Sequence, residues 1–310
     1  MIKTKYVQMI DIRLSDNLDL MAEMQDKTID LIYCDILYGS GRKFEDYQDL
    51  KPKREIIEEH YIPRIKEMHR VLKDTGSIYL QMDTRINHWL RCIMDSVFGY
   101  DNFLNEIVWC YNTQGYSKSK YSGKHDSILF YSKTKNYNFN AESIRNEKPS
   151  ESTFKRFGKE IKENGFYIDF KSKKKVYELK GSLPLDWFEM SVLPYAHNEN
   201  TGYDTQKPKA LIERIIKASS NEGDLVADFY AGSFTTAEVC KDLNRNFIGC
   251  DISEKAVEIG IKRAVVIDLN SWLKKNNYTY NGDGYYLDNN GNLWFDSYIE
   301  QKYELEKSLF

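Results

Sequence analysis

Apolar residues along this chain fall into two rhythms: short unbroken runs, and longer stretches in which they recur every three or four positions. The run Thr28-Ile-Asp-Leu-Ile-Tyr-Cys34 is rich in β-branched and aromatic side chains and predicts a buried strand. Tyr6 to Ile12, Gly76 to Met82, His125 to Tyr131, Asp224 to Ala227 and Asn246 to Cys250 read the same way. Helical spacing runs from Arg54 to Lys73 and from Ala237 to Leu243, and Pro63 inside the first predicts a kink or two shorter helices. A third helix should begin near Lys207-Pro208, since proline suits a first helical position, with Leu211, Ile212, Ile215 and Ile216 as its apolar stripe. Beyond Asn270 the rhythm gives way to a Tyr- and Asn-rich tail. There Asn281-Gly282 and Asn290-Gly291 signal hairpin turns, so a small β appendage is expected. Strands alternating with helices at both ends of the chain predict an α/β fold, a mixed, mostly parallel sheet with helices on both faces.

Length and composition narrow the class. A chain of 310 residues suffices for one large α/β domain, or a core domain carrying a sizeable insertion. No apolar run approaches the ~20 residues of a membrane span, and no secretory signal is present, so a cytoplasmic protein without membrane contact is expected. Cys34, Cys92, Cys110, Cys240 and Cys250 lie far apart, with no pair at metal or redox spacing. They read as reduced and mostly buried thiols, and no metal is called for.

The net charge of −3 is unevenly placed. Gly115 to Ser182 holds 16 Lys/Arg against 8 Asp/Glu, a net of +8 that leaves −11 for the remainder. Lys118, Lys120, Lys124, Arg156, Lys173 and Lys174 stand there among Tyr116, Tyr121, Phe154, Phe157, Phe166 and Phe170. Basic and aromatic residues together suit a nucleic-acid backbone; a solvated insertion kept soluble by its lysines fits the composition equally. The chain therefore divides into 1–112, a basic insertion at 113–200, a second regular segment at 201–269, and the tail at 270–310.

Two loops carry the candidate chemistry. Asp35-Ile36-Leu37-Tyr38 follows the Thr28 to Cys34 strand. Asp228-Phe-Tyr-Ala-Gly-Ser-Phe-Thr-Thr236 joins a strand to a helix. In a parallel sheet both would open on the carboxyl edge, where such folds place ligands. Ala231, Gly232, Ser233, Thr235 and Thr236 let a ligand approach backbone amides and hydroxyls at a helix start. Asp251, 23 residues beyond Asp228, stands where an acidic residue holds ribose hydroxyls. On these residues alone, a nucleoside cofactor and a tight strand-to-helix turn with a capping Asp are both open.

Taken in order, the motifs resemble the β class of amino-group DNA methyltransferases. Asp35-Ile-Leu-Tyr38 resembles their Asp-Pro-Pro-Tyr motif, and the later loop their Asp-Pro-Phe-x-Gly-Ser-Gly-Thr-Thr motif. Ser15-Asp-Asn-Leu18, Arg70 to Leu80, Glu106-Ile-Val-Trp109, Lys124 to Lys133 and Thr205-Gln-Lys-Pro208 through Val226 are similar to the passages between. The resemblance covers roughly residues 10 to 135 and 200 to 265.

That resemblance implies a Rossmann-like S-adenosylmethionine-dependent methyltransferase fold in which 113–200 is the target-recognition insertion. It implies transfer to adenine N6 of double-stranded DNA within a bacterial restriction-modification system, leaving S-adenosylhomocysteine. Asp35 and the Ile36 carbonyl would accept the two amino protons of a flipped-out base, and Tyr38 would stack on it. Asp16, Asp35, Gln206, Lys207, Pro208, Asp228, Ala231, Gly232, Ser233, Phe234, Thr235, Thr236 and Asp251 would border the cofactor. Lys118, Lys120, Lys124, Arg156, Lys173 and Lys174 would meet DNA. A homodimer and a cognate restriction endonuclease are the implied partners.

The departures matter. Ile36 and Leu37 stand where the family has two prolines that stiffen the loop. Phe229 and Tyr230 replace Pro and Phe. Phe234 replaces a glycine and would crowd the cofactor or demand a left-handed backbone. Cytosine-N4 methylation, a decayed subunit that only binds DNA, and an RNA substrate remain alternatives. His125 reads as a structural histidine beside Asp126, and Cys34 as packing.

Overall fold

The computed structural model describes residues 8–264 apart from 45–46, 114, 147–166, 171–174, 179–180 and 195–196, with short pieces at 273, 278–280, 285–288, 293–295 and 299. In chain order the elements are β1 (Ile10–Leu14), α1 (Asn17–Glu23), β2 (Ile29–Asp35), α2 (Arg54–Val71), β3 (Leu72–Met82), α3 (Asn87–Phe98), β4 (Phe103–Cys110), β5 (His125–Ser132), β6 (Tyr167–Phe170), β7 (Lys175–Glu178) and β8 (Trp187–Glu189). They continue with α4 (Lys209–Ser219), β9 (Leu225–Asp228), α5 (Thr235–Asp242), β10 (Asn246–Asp251), α6 (Glu254–Ala264), β11 (Thr279–Tyr280), β12 (Tyr285–Leu287) and β13 (Leu293–Phe295).

Eight strands form one sheet in the order β1-β10-β9-β2-β3-β5-β4-β8. Pairing is parallel from β1 across to β3, antiparallel on both sides of β5, and parallel again between β4 and β8. The α/β fold expected from the alternation of strands and helices is thus present. The basic stretch is woven into it, since β5 and β8 are strands of the main sheet. β6 and β7 pair apart from it, and β11 to β13 form a small antiparallel sheet in the tail. The two Asn-Gly turns lie outside the described residues.

Strand periodicity sorts side chains into two cores. Ile32, Cys34, Ile78, Leu80, Leu129 and Tyr131 face the layer of α1, α2 and α3, where Met21, Ile57, Ile65, Met68, Leu90 and Met94 are buried. Leu31, Tyr33, Tyr79, Ile128 and Phe130 face the layer of α4, α5 and α6, meeting Leu211, Ile212, Ile215, Ile216, Val239 and Ala256.

Several boundaries differ from the pattern reading. β1 starts at Ile10, and Tyr6 and Val7 lie outside the described residues. α2 ends at Val71 and β3 begins at Leu72, earlier than Gly76, because the β2–β3 register slips between Ile29 and Leu31. Gly76 sits in the slipped segment, where a Cβ would stand 2.6 Å from the Leu72 side chain and 2.9 Å from the Asp30 carbonyl. α4 begins at Lys209, with Pro208 at the cap. Cys34, Cys240 and Cys250 are buried, but Cys92 is exposed on α3. Among the described residues no helix is long and apolar enough to cross a membrane.

α2 runs as one helix through Pro63, so of the two expected arrangements the pair of shorter helices is not formed. Its buried stripe of Ile57, Tyr61, Ile65, Met68 and Val71 continues past the proline, so packing holds the turn that the missing N–H weakens. Pro63→Ala should therefore stabilise the fold by about 1–3 kcal/mol; an unchanged or lower urea midpoint would contradict this account of the helix.

Candidate active site

β2 and β9 lie side by side in parallel, with Leu31 opposite Val226 and Ile32 opposite Ala227. From β9 the chain passes through α5 to β10 on one side, and from β2 through α2 to β3 on the other. This divergence leaves a crevice outside the carboxyl ends of the two strands. A cleft of about 430 Å³ opens there, within the range of small-ligand sites. Asp35, Ile36, Tyr38, Lys207, Asp228, Ala231, Gly232, Ser233, Thr235, Thr236, Asp251 and Asp16 all line it.

At the β2 end, Asp35 Oδ2 accepts from Lys207 Nζ at 2.6 Å, and Oδ1 lies 2.8 Å from the Tyr38 hydroxyl oxygen. Burial pushes the Asp35 carboxyl above its ordinary range; the Lys207 ammonium opposes this and the Asp126 charge adds to it. Lys207 Nζ lies 5.1 Å from the Tyr38 ring centroid. The Tyr38 hydroxyl donates to Asp126 Oδ2 across the shorter gap of 2.6 Å. Asp126 is buried on β5, where Gln81 Nε2 reaches Oδ2 at 3.0 Å and the Tyr111 hydroxyl reaches Oδ1 at 3.0 Å. Tyr33 donates to Gln81 Oε1, so the amide presents its Nε2 to Asp126.

Hydrogen bonds stiffen the Asp35–Tyr38 loop where the resembled Asp-Pro-Pro-Tyr motif has prolines. The Ile36 N–H, which a proline would lack, donates to the Gln81 carbonyl at 3.1 Å, and the Tyr61 hydroxyl donates to the Leu37 carbonyl at 3.0 Å. Beyond it, residues 39–44 and 47–50 fold back as a flap, Lys43 bridging Gln48. Buried Asp49 accepts from the Gly39 and Ser40 amides, from the Ser40 hydroxyl and from the Leu50 amide. Gly39 and Gly41 adopt positive φ at the flap base, and Phe44 stacks on Tyr47 near its tip.

At the β9 end, Asp228 Oδ2 accepts from Thr236 Oγ1 at 2.6 Å, and Oδ1 from the Tyr230 amide at 3.1 Å. Burial drives its pKa up to about 7 despite these two donors. Asp251 accepts from the Gly232 amide and the Ser253 amide, both at 2.9 Å. Asp16 caps α1 by accepting from the Leu18 amide and pairs with Arg64 at 3.0 Å. Asn17 donates to the Phe229 carbonyl, and the Phe229 amide donates to Cys34 Sγ, tying α1 and β2 to this loop.

Phe234 takes the left-handed backbone that the glycine position demands, at φ 52° and ψ 33°. Its side chain does not enter the cleft. It is fully buried, edge-on to Phe247 and against Gly260 of α6, where a Cβ would stand 2.5 Å from the Phe234 ring. Gly260 thus opens the space that the ring fills, and the feared crowding is absent.

Gln206 and Pro208 are not among the residues that line the cleft. Gln206 accepts from the Thr201 amide and hydroxyl and donates to the Glu199 carbonyl, so it braces the loop that delivers Lys207. Pro208 caps α4. Lys124 donates to the Thr113 carbonyl and hydroxyl, closing the β4–β5 loop. Lys118 and Lys120 are exposed on that loop with Tyr116 and Tyr121. Arg156, Lys173 and Lys174 lie outside the described residues. His125 is exposed, and its neighbour Asp126 faces inward. Asp126, Gln81, Tyr111 and Asp49 escaped the sequence reading; only the odd polar residues in the apolar runs of β3 and β5 hinted at the first two.

The family model described as DNA methylase, for the N6/N4 methyltransferases, matches residues 29–262. The chain belongs to the N6/N4 DNA methylase family. This DNA methylase is 32% identical over 251 residues to type II methyltransferase M.HpaI of Haemophilus parainfluenzae, covering 80% of this chain and 72% of that protein. It is 31% identical over 250 residues to DNA adenine methyltransferase YhdJ of Escherichia coli (strain K12), covering 79% and 80%. Its fold is shared with the cytosine-N4-specific PvuII DNA methyltransferase, at a TM-score of 0.60, 16% identity and coverage of 83% and 86%. It is shared also with M1.HpyAVI, solved as a SAM complex, at a TM-score of 0.51, 21% identity and coverage of 82% and 100%.

If Gly260 exists to house Phe234, Gly260→Ala should destabilise this methylase by about 1–3 kcal/mol. The same change in a Phe234→Ala background should cost almost nothing more. Additive losses in urea melts of the two single variants and the double would refute the pairing.

Proposed function

We propose that this DNA methylase transfers a methyl group from S-adenosylmethionine to the N6 amino group of an adenine flipped out of double-stranded DNA, leaving S-adenosylhomocysteine. The observation that carries this reading is the meeting of Asp35 and the Asp228–Asp251 loops in one cleft. The lone pair of an adenine amino group is delocalised into the ring. A carboxylate accepting one amino proton and the Ile36 carbonyl accepting the other favour the nitrogen that carries positive charge in the transition state. The Tyr38 ring at the cleft wall offers a face for the base. An Asp at position 35, where a Ser marks many cytosine enzymes of the resemblance, favours adenine.

The residues present fit the cofactor. Asp251, already fixed by two backbone amides, suits ribose hydroxyls, and the small residues Ala231 and Gly232 leave room beside it. Bound S-adenosylmethionine supplies an electrophilic methyl group on a sulfonium. The Lys207 ammonium, paired with Asp35 here, is within the same cleft and suits the methionine carboxylate. Turning to that carboxylate would free Asp35 for the base.

Tyr116, Lys118, Lys120 and Tyr121 are exposed on the loop whose first residue, Tyr111, lines the cleft. Charge and aromatic faces there support DNA contact. The type II methyltransferase name of M.HpaI supports a place beside a restriction endonuclease, and the resemblance supports a homodimer.

Labelled S-adenosylmethionine and unmethylated genomic DNA, followed by nucleoside analysis, should yield N6-methyladenine that is lost in Asp35→Ala. N4-methylcytosine would reassign the base. Absence of any labelled base together with absence of cofactor binding would leave a DNA-binding subunit. Lys207→Met should weaken cofactor binding at least about tenfold by calorimetry.

A further inference from the structure

We infer that Asp126, acting through Tyr38, makes Asp35 the holding place for the proton that the amino group gives up on methylation. The inference rests on the methyltransferase reading of the cleft. Its ground is a count of protons. Asp35 Oδ1 and Tyr38 Oη are 2.8 Å apart, and Tyr38 Oη and Asp126 Oδ2 are 2.6 Å apart. Each gap between such oxygens needs a proton, and the phenol brings one. The chain Asp35–Tyr38–Asp126 is complete only when a second proton has been added.

The surroundings decide where that proton sits. Asp126 already accepts from Tyr111 and Gln81, both held in place, so it is satisfied as a carboxylate and draws the Tyr38 proton across the shorter gap. The Tyr38 oxygen is then left as an acceptor facing Asp35. Burial already favours the neutral form of Asp35. The groups around Asp126 are Tyr38 from the loop after β2, Asp35 and Tyr33 of β2, Gln81 of β3, Asp83 just past β3 beside Tyr111, and Tyr111 past β4; Lys207 stands beyond Asp35. His125, next along β5, points to solvent.

The reaction supplies the missing proton. The methyl carbon exchanges its bond to sulfur for one to nitrogen, the old bonding pair staying on sulfur and the amino lone pair forming the new bond. The nitrogen, now cationic, loses one N–H proton to Asp35 and keeps that electron pair. Asp35, as the acid with Oδ1 protonated, donates to Tyr38 Oη while Tyr38 donates to Asp126. The proton passes to water when the methylated base leaves the cleft. Asp126 touches neither base nor cofactor and is a positioning residue.

The test is the pH dependence of single-turnover methyl transfer at saturating cofactor and DNA. Activity needs Asp35 ionised at the start, so the rate falls on the acid side as Asp35 is protonated. Asp126→Asn removes the anchor for the Tyr38 proton, which turns to Asp35 and favours its ionised form. The acid limb should move down by about one pH unit or more, and the plateau rate should fall at least about tenfold, with cofactor affinity unchanged. In a Tyr38→Phe background only the direct effect of the Asp126 charge on Asp35 remains, so Asp126→Asn should move the limb by much less than it does in the unaltered protein. Tyr38→Phe alone breaks the chain at its middle and should move the limb the same way, which serves if Asp126→Asn fails to fold. A slower enzyme with an unmoved limb, or an equal further shift in the Tyr38→Phe background, overturns the inference. Either result beside an inactive Asp35→Ala leaves the function standing, whereas an active Asp35→Ala overturns both.

Discussion

The parallel pairing of β2 with β9 is the constraint on which the rest of this molecule depends. It joins two loops from distant parts of the chain at one sheet edge, and it holds only because both strands are buried on both faces. The same pairing crowds carboxylates: Asp35, Asp228 and Asp251 share the cleft, and burial raises the first two above their ordinary values. The protein answers with donors matched to each. Lys207 meets Asp35, Thr236 and the Tyr230 amide meet Asp228, and the Gly232 and Ser253 amides meet Asp251. Buried charge at the switch point is therefore tolerated through hydrogen bonds from elements on every side.

The departures from the family motifs illustrate how a local requirement can be met by a distant residue. A left-handed backbone at position 234 is strained for phenylalanine, by of order 1–3 kcal/mol. Burial of the ring against Phe247 and in the space beside Gly260 opposes that strain. The absence of prolines from the Asp35–Tyr38 loop is compensated differently. Ile36 regains an N–H, which pairs with the Gln81 carbonyl, and Tyr61 reaches from α2 to the Leu37 carbonyl. Stiffness that a ring supplies covalently is supplied here by hydrogen bonds between elements.

The layer above the site follows the same logic. Asp49 gathers three backbone amides and a hydroxyl at the base of the flap, converting a loop with two left-handed glycines into a defined wall of the cleft. Gln206 does so for the loop carrying Lys207, and Asn17 for the loop after β9. These polar residues act on backbone, which is why no motif marks them.

The sequence by itself determined the class of fold and the two ends of the site. Unbroken apolar runs bounded by polar residues can only be buried strands or helix segments, and their alternation with helical spacing leaves an α/β sheet. Asp35, Asp228 and Asp251 were legible because each ends such a run, and a parallel sheet gathers its carboxyl ends on one edge. Pro63 did not divide α2 because the cost of a missing N–H is local, whereas the packing of Ile57, Ile65 and Met68 that holds α2 together is tertiary. Only the folded chain decided that Phe234 turns into the core, that Gln206 and Pro208 stand behind the cleft, and that Asp126 comes within 2.6 Å of Tyr38. That last contact depends on β5 lying antiparallel beside β3, a pairing set by side chains across the sheet and by nothing in the local sequence of either strand.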